Sequence, residues 1–262
     1  MINLGISGIN GRVGRVLKTY LEEDSGENTD IKLIAGLSRQ KKPAGDSSDG
    51  FLLTADCAEF LSAVDIVIDF SLPDNFVVLA GHAAAHKTPI VSGTTGLSAA
   101  QMHDIEAAAK LTPLLHAGNM SLGVNLLCAL VKQSAARLGL EYDLEISETH
   151  HRLKRDAPSG TALMLGQAAA QGRGQDHDEV AVYGRNGADA LRQEGEIGYA
   201  AQRGGSVIGA HEVSFYGPSE ELTLSHKAHD RRLFASGALF AARWLHDKPA
   251  GHLYSMADAL GV

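Results

Sequence analysis

The strongest constraint on the fold is an alternation, in the first half of the chain, between short apolar runs and helical patterns. Apolar runs at residues 2–7, 31–37, 66–70, 89–92 and 113–116 are interleaved with helix-like stretches near 12–23, 75–86 and 98–110. This order predicts βαβ units, and right-handed crossovers then place helices on both faces of a parallel, doubly wound sheet. From Ser121 the pattern changes to a longer apolar helix through Ala136. Strand-like runs follow at 143–147, 180–185, 195–201, 207–216 and 221–228. Strands grouped in this way predict a second, α+β layer. The polar stretch Gly172–Asp178 reads as a mobile loop, and the alanine-rich segment 234–244 as a helix packing back on one of the layers.

The 262 residues suffice for one large α/β domain or two modest ones. A formal net charge of -8 argues against a general nucleic-acid partner, because a duplex-binding face needs a basic excess to displace counterions. Cys57 and Cys128 lie far apart, with neither a disulfide framework nor metal-ligand spacing, so no metal is expected. The first residues run straight into a strand and a glycine turn, leaving no room for a signal peptide. No apolar run reaches membrane-spanning length. The expectation is a soluble cytoplasmic protein without a membrane partner.

The strand Asn3–Ser7 enters Gly8-Ile9-Asn10-Gly11-Arg12-Val13-Gly14 and then a helix, the arrangement that lets a pyrophosphate reach a helix N-terminus. The first glycine lies one residue farther from the second than in G-x-G-x-x-G, so a plain tight turn remains the alternative. The second strand ends at Leu37-Ser38-Arg39, where a cofactor without a 2′-phosphate usually meets an acid. Arg39, backed by Lys41 and Lys42, instead suits a 2′-phosphate and favours NADPH over NADH, the alternative being a solvated basic loop. Two further turns at strand C-termini, Asp69-Phe70-Ser71 and Ser92-Gly93-Thr94-Thr95-Gly96, are candidates for lining a nicotinamide cleft. Gly93 would permit close backbone approach, and Thr94 and Thr95 would supply hydroxyls. Ala117-Gly118-Asn119-Met120 ends the next strand in the same manner.

The densest chemistry lies at Glu148-Thr-His-His-Arg-Leu-Lys-Arg-Asp-Ala-Pro-Ser-Gly-Thr-Ala162. His150 and His151 stand beside Lys154, and Ser159 is a good N-cap for the helix that follows, which suits gripping a small anion and moving a proton. Adjacent histidines are also often incidental, and a zinc site would need further ligands. Glu148, Arg152, Arg155 and Asp156 are expected to face solvent or to pair with one another.

This segment, with the glycine turn, Ser92–Gly96 and Asn119-Met-Ser-Leu-Gly-Val-Asn125, closely resembles the dihydrodipicolinate reductase family. The similarity continues through Arg203–His211, Leu224–Ala228 and Phe234–Ala238. The resemblance implies a Rossmann-like dinucleotide-binding domain over residues 1–121 and 232–262. It also implies a substrate-binding and oligomerisation domain over 122–231, built on an open mixed sheet. It implies NAD(P)H-dependent reduction of 4-hydroxy-tetrahydrodipicolinate, a small cyclic dicarboxylate, in lysine and diaminopimelate synthesis, by a homotetramer. His150 would be the proton donor and acceptor and Lys154 a second proton donor, while His151, Gly160 and Thr161 would hold the substrate. Gly8, Ile9, Asn10, Gly11, Arg12, Val13, Arg39, Gly93, Thr94, Thr95, Ala117, Gly118, Asn119 and Met120 would line the dinucleotide. Some members carry an acid just before the arginine, where Ser38 stands here, so NADPH is the expected cofactor with NADH possible. Two rival readings are an amino-acid dehydrogenase on the same scaffold and a catalytically silent NADPH sensor.

Overall fold

A computed structural model of the chain describes residues 1–23, 26, 28–38 and 51–262. It runs β1 (Ile2–Ser7), α1 (Arg12–Glu22), β2 (Ile31–Leu37), β3 (Leu52–Thr54), α2 (Cys57–Ser62), β4 (Ile66–Asp69), α3 (Pro73–His86), β5 (Ile90–Ser92), α4 (Ala99–Ala109) and β6 (Leu114–His116). Next come α5 (Leu122–Leu138), β7 (Asp143–His150), α6 (Gly160–Arg173), α7 (His177–Val180), β8 (Ala181–Val182), β9 (Ile197–Arg203), β10 (Gly209–Tyr216) and β11 (Glu221–Ala228). The chain then adds α8 (Arg232–His246), β12 (Leu253–Tyr254) and α9 (Met256–Leu260). It divides into two compact units, Met1–Leu122 with Arg232–Gly261, and Gly123–Arg231 with Val262.

The first unit holds a seven-stranded sheet in the order β12-β6-β5-β4-β1-β2-β3, and every pairing in it is parallel. All four residues of β4 are buried, as expected of a strand covered on both faces. Ile66 and Ile68 enter the core packed by α1 and α8, with Leu17, Leu239 and Leu245. Val67 points the other way, into the core of Phe60, Phe76 and Ile105 from α2, α3 and α4. The chain builds one half of the sheet outward from β1 and the other from β4. These strands pair side by side with Ser7 opposite Asp69, so the crevice at their C-terminal ends is the topological switch point where such sheets place ligands.

The second unit is a five-stranded mixed sheet, β11-β10-β7-β9-β8. β10 runs antiparallel to β7 and β11, while β7, β9 and β8 run parallel. One face carries Leu144, Ile146, Ile197, Tyr199, Val213 and Phe215 against Leu127 and Val131 of α5 and Leu165 and Ala169 of α6. The opposite face includes exposed Glu212, Thr223, Ser225 and Lys227.

Two local expectations fail in this unit. The stretch 172–178 is not one loop: α6 continues through Arg173, and the Asp176 side chain accepts from the Asp178 N–H to start α7. The strand expected over 180–185 contracts to Ala181–Val182: Val180 closes α7, and Gly184 turns to φ +110°.

Candidate functional site

The glycine turn is built for close approach. Gly8 sits at φ +73°, and a Cβ there would meet the Phe70 carbonyl oxygen at 2.5 Å. A Cβ on Gly14 would meet the Gly8 carbonyl oxygen at 2.3 Å and Ile9 Cα at 2.8 Å, so α1 packs directly on the turn. The Gly11 N–H donates to the Gly8 carbonyl at 2.8 Å, and no side chain among the described residues caps the start of α1. Asn10 Nδ2 donates to Ser38 Oγ at 2.9 Å, joining the turn to the end of β2. A cavity of about 780 Å³ opens here, lined by Gly8, Asn10, Gly11, Ser38, Phe70 and Ser71 among others. Ile9 is buried in the core, so it offers a ligand its backbone alone, whereas Asn10 and Arg12 are exposed and Val13 is half-buried. Arg39, Lys41 and Lys42 lie outside the described residues.

The other dinucleotide candidates stand at the C-terminal ends of β5 and β6, along the same edge of the sheet. Their anchor is Asp69, fully buried at the end of β4. Its Oδ2 accepts from Ser92 Oγ at 2.9 Å and from Thr94 Oγ1 at 2.7 Å, while Oδ1 has no hydrogen-bond partner among the described residues. The Thr94 hydroxyl is therefore spent inside the protein, and Thr95 is the exposed one of the pair. Gly93 lies flat against the Phe70 ring, where a Cβ would approach to 2.3 Å. The Ala117 N–H donates to the Ser92 carbonyl at 3.1 Å, and Asn119 Oδ1 accepts from the Ser121 N–H at 2.8 Å. Gly118 is exposed, whereas the Met120 side chain is buried in the core.

In the second unit, the buried face of β7 reads Leu144, Ile146, Glu148, His150. Two core residues are followed, at the same period of two, by two ionisable ones. Glu148 is 2% exposed and His150 8%. Glu148 Oε2 accepts from His150 Nδ1 at 2.6 Å and Arg203 Nη1 at 2.8 Å, and Oε1 from the Ser159 N–H at 3.1 Å and Arg203 Nη2 at 2.8 Å. Ser159 is the N-cap of α6, accepting from the Ala162 N–H, and its hydroxyl also contacts His211 Nε2 at 3.0 Å. The His150 and His211 rings meet edge to face with centroids 5.0 Å apart. Lys154 pairs with Asp156 at 2.9 Å. His151 and Thr161 are half-buried, and Gly160 is exposed in the first turn of α6; Arg152 and Arg155 are exposed.

The electrostatics follow from burial and partners. Burial pushes the Glu148 carboxyl up, but hydrogen bonds from Arg203 and His150 outweigh it and leave it below its ordinary value. Burial lowers His150, and the hydrogen bond to Glu148 opposes that only in part. His211, desolvated and facing His150, is pushed down to about 4. The expectation that Glu148 faces solvent or pairs with Arg152, Arg155 or Asp156 is thus wrong, since β7 points it inward, where it accepts from His150, Ser159 and Arg203. Arg203 and His211 received no role from sequence. Both end apolar stripes, Ile197-Tyr199 on β9 and Val213-Phe215 on β10, and that break in a hydrophobic period was the available signal. Among the described residues no group of three or more His, Cys, Asp or Glu could hold a metal ion, and no helix is long and apolar enough to cross a membrane.

Two family models match the chain: "Dihydrodipicolinate reductase, N-terminus" over residues 2–120 and "Dihydrodipicolinate reductase, C-terminus" over 123–260. The 4-hydroxy-tetrahydrodipicolinate reductase of Caulobacter vibrioides is 47% identical, covering 99% of this chain and 97% of that protein. The enzyme of that name from Beijerinckia indica is 46% identical, covering 100% and 98%. Among solved structures, the dipicolinate-bound dihydrodipicolinate reductase from Paenisporosarcina sp. TG-14 has a TM-score of 0.79 at 22% identity over 98% of both chains, a likeness of fold.

Proposed function

The chain belongs to the dihydrodipicolinate reductase family, and on that premise we propose how its residues divide the NAD(P)H-dependent reduction of 4-hydroxy-tetrahydrodipicolinate to tetrahydrodipicolinate. The reaction takes up one hydride and one proton and releases water. The nicotinamide, when bound, supplies the hydride. The protein's share is to hold both molecules and deliver the proton.

The side-chain-free cradle at Gly8 and Gly14 fits a dinucleotide. Gly8 to Val13, Gly93 to Thr95 and Ala117 to Met120 line it, with the pyrophosphate at the uncapped start of α1. NADPH is the preferred form and NADH a possible one, because Ser38 rather than an acid follows β2 and the next residue in sequence, Arg39, suits a 2′-phosphate. His150 is the acid that supplies this proton, and Lys154 neutralises a substrate carboxylate and stands as an alternative donor of the same proton. His151, Gly160 and Thr161 hold the substrate at the start of α6, where backbone N–H groups favour an anion. The buried 2.6 Å contact between His150 and Glu148 carries this reading, because it fixes an imidazole beside that helix start. The working form is a cytoplasmic homotetramer, with residues 122–231 as its oligomerisation domain.

Purified protein supplied with freshly generated 4-hydroxy-tetrahydrodipicolinate should oxidise NADPH faster than NADH. Binding of either nucleotide without turnover would overturn the assignment in favour of a silent sensor.

A further inference from the structure

We propose that Glu148 is the positioning residue of this site: one buried carboxylate fixes the tautomer of His150 and ties it to the start of α6. The proposal rests on the reading of His150 as the acid. A carboxylate offers about four lone-pair sites, and all four are taken here, by His150 Nδ1, the Ser159 N–H and two nitrogens of Arg203. Arg203 bridges both oxygens and keeps Glu148 charged in a place almost without water. An ionised carboxylate can only accept, so Nδ1 of a neutral His150 must carry the proton and Nε2 is left as the nitrogen that exchanges protons with substrate. Gly209, from the neighbouring strand, presents no side chain to that nitrogen.

The same carboxylate joins two functions that the sequence separates by nine residues or more. Oε2 holds the imidazole and Oε1 holds the peptide N–H of the N-cap, so the proton donor and the anion-holding helix start keep one fixed geometry. The charged or titratable groups facing His150 are Glu148 on its own strand, Arg203 on β9, His211 on β10 and Lys154 beyond the strand. Of these, Glu148 alone favours the imidazolium.

Wild-type protein labelled with ¹⁵N in histidine supplies the first test. Above its titration the His150 signals should show Nδ1 protonated and Nε2 bare, and the reverse tautomer overturns the proposal. Glu148→Gln should lower kcat on the order of 10²-fold with nucleotide affinity unchanged. It should also move the alkaline fall of kcat/KM to lower pH, because the anion that favours the imidazolium is gone. Glu148→Asp, with the charge but one methylene less reach, should recover much of that pH shift and little of the rate. Wild-type kcat and pH profile in Glu148→Gln would sink the idea. Should His150→Gln turn over normally, the acid reading fails by itself, and the tautomer still decides the role of Glu148. If Glu148→Gln does not fold, the wild-type spectrum remains decisive.

Discussion

Gly209 abuts the imidazole of His150: a Cβ built on it would stand 3.0 Å from Nε2 and 3.5 Å from Cε1 of His211. Neither ring can step aside freely, because His150 is tied to Glu148 and His211 to Ser159. Gly209→Ala should therefore crowd the nitrogen proposed to handle the proton and lower kcat by about tenfold, with nucleotide affinity intact. Steady-state rates beside nucleotide titrations check this, and unchanged kcat would show that Nε2 does not face the reaction.

His150→Gln removes the proposed proton donor while keeping a polar side chain of similar reach. Turnover should drop by roughly 10²- to 10⁴-fold, the usual contribution of a general acid, while nucleotide Kd stays within error. Equal losses in both would assign His150 to binding instead.

Gly14→Ala places a methyl against the backbone of Gly8 and Ile9 at 2.3 and 2.8 Å, and backbone cannot yield as a side chain can. The expected cost is about 1–3 kcal/mol of stability, typical of overpacking, with weakened nucleotide binding because α1 is pushed off the turn. Thermal unfolding with and without NADPH measures both, and a variant of native Tm and native affinity would contradict the packing.

Asp69→Ala strands the Ser92 and Thr94 hydroxyls in a buried site. Leaving buried donors without an acceptor costs roughly 1–3 kcal/mol, and the Ser92–Gly96 turn loses its anchor. A lower Tm with a raised nucleotide Kd is expected. A lower Tm with unchanged Kd would confine Asp69 to stability.

His211 gives the second unit an acid-sensitive window. Its folded value near 4 lies below the ordinary 6.5, so between these values the unfolded chain binds the extra proton and stability falls as pH falls. The loss is at most about 3 kcal/mol. Glu148, held below its ordinary 4.5, adds a further loss at lower pH as it takes up a proton. His211→Gln should flatten the decline between pH 6.5 and 4 in denaturant titrations, and an unchanged slope would place the sensitivity elsewhere.

The parts legible in sequence are those written in a period or a turn. The alternation through β1, α1, β2, β4, α3, β5, α4 and β6 is visible because each element is long enough to show its pattern or is closed by glycine, proline or a cap such as Ser98. β3 and β12 have three and two residues and are strands only because β2 and β6 already stand beside them. Ser159 as an N-cap was readable from its place before an apolar run, and it does accept from the Ala162 N–H. Glu148 was misread because a carboxylate beside cations normally faces water. Its burial depends on Arg203, a partner 55 residues away that only strand register brings opposite His150.

The order of the strands in the first sheet also sets an order in time. β1 to β6 leave the ribosome before the second unit, yet the core on one side of their sheet lacks Ala235, Ala238, Leu239, Ala242 and Leu245 until α8 follows it. Synthesis therefore supplies the whole of the inserted unit while the first still waits for its lid of helix and its edge strand. Release of the nascent chain at Arg231 would leave one face of the parallel sheet without the apolar side chains of α8 that complete its core.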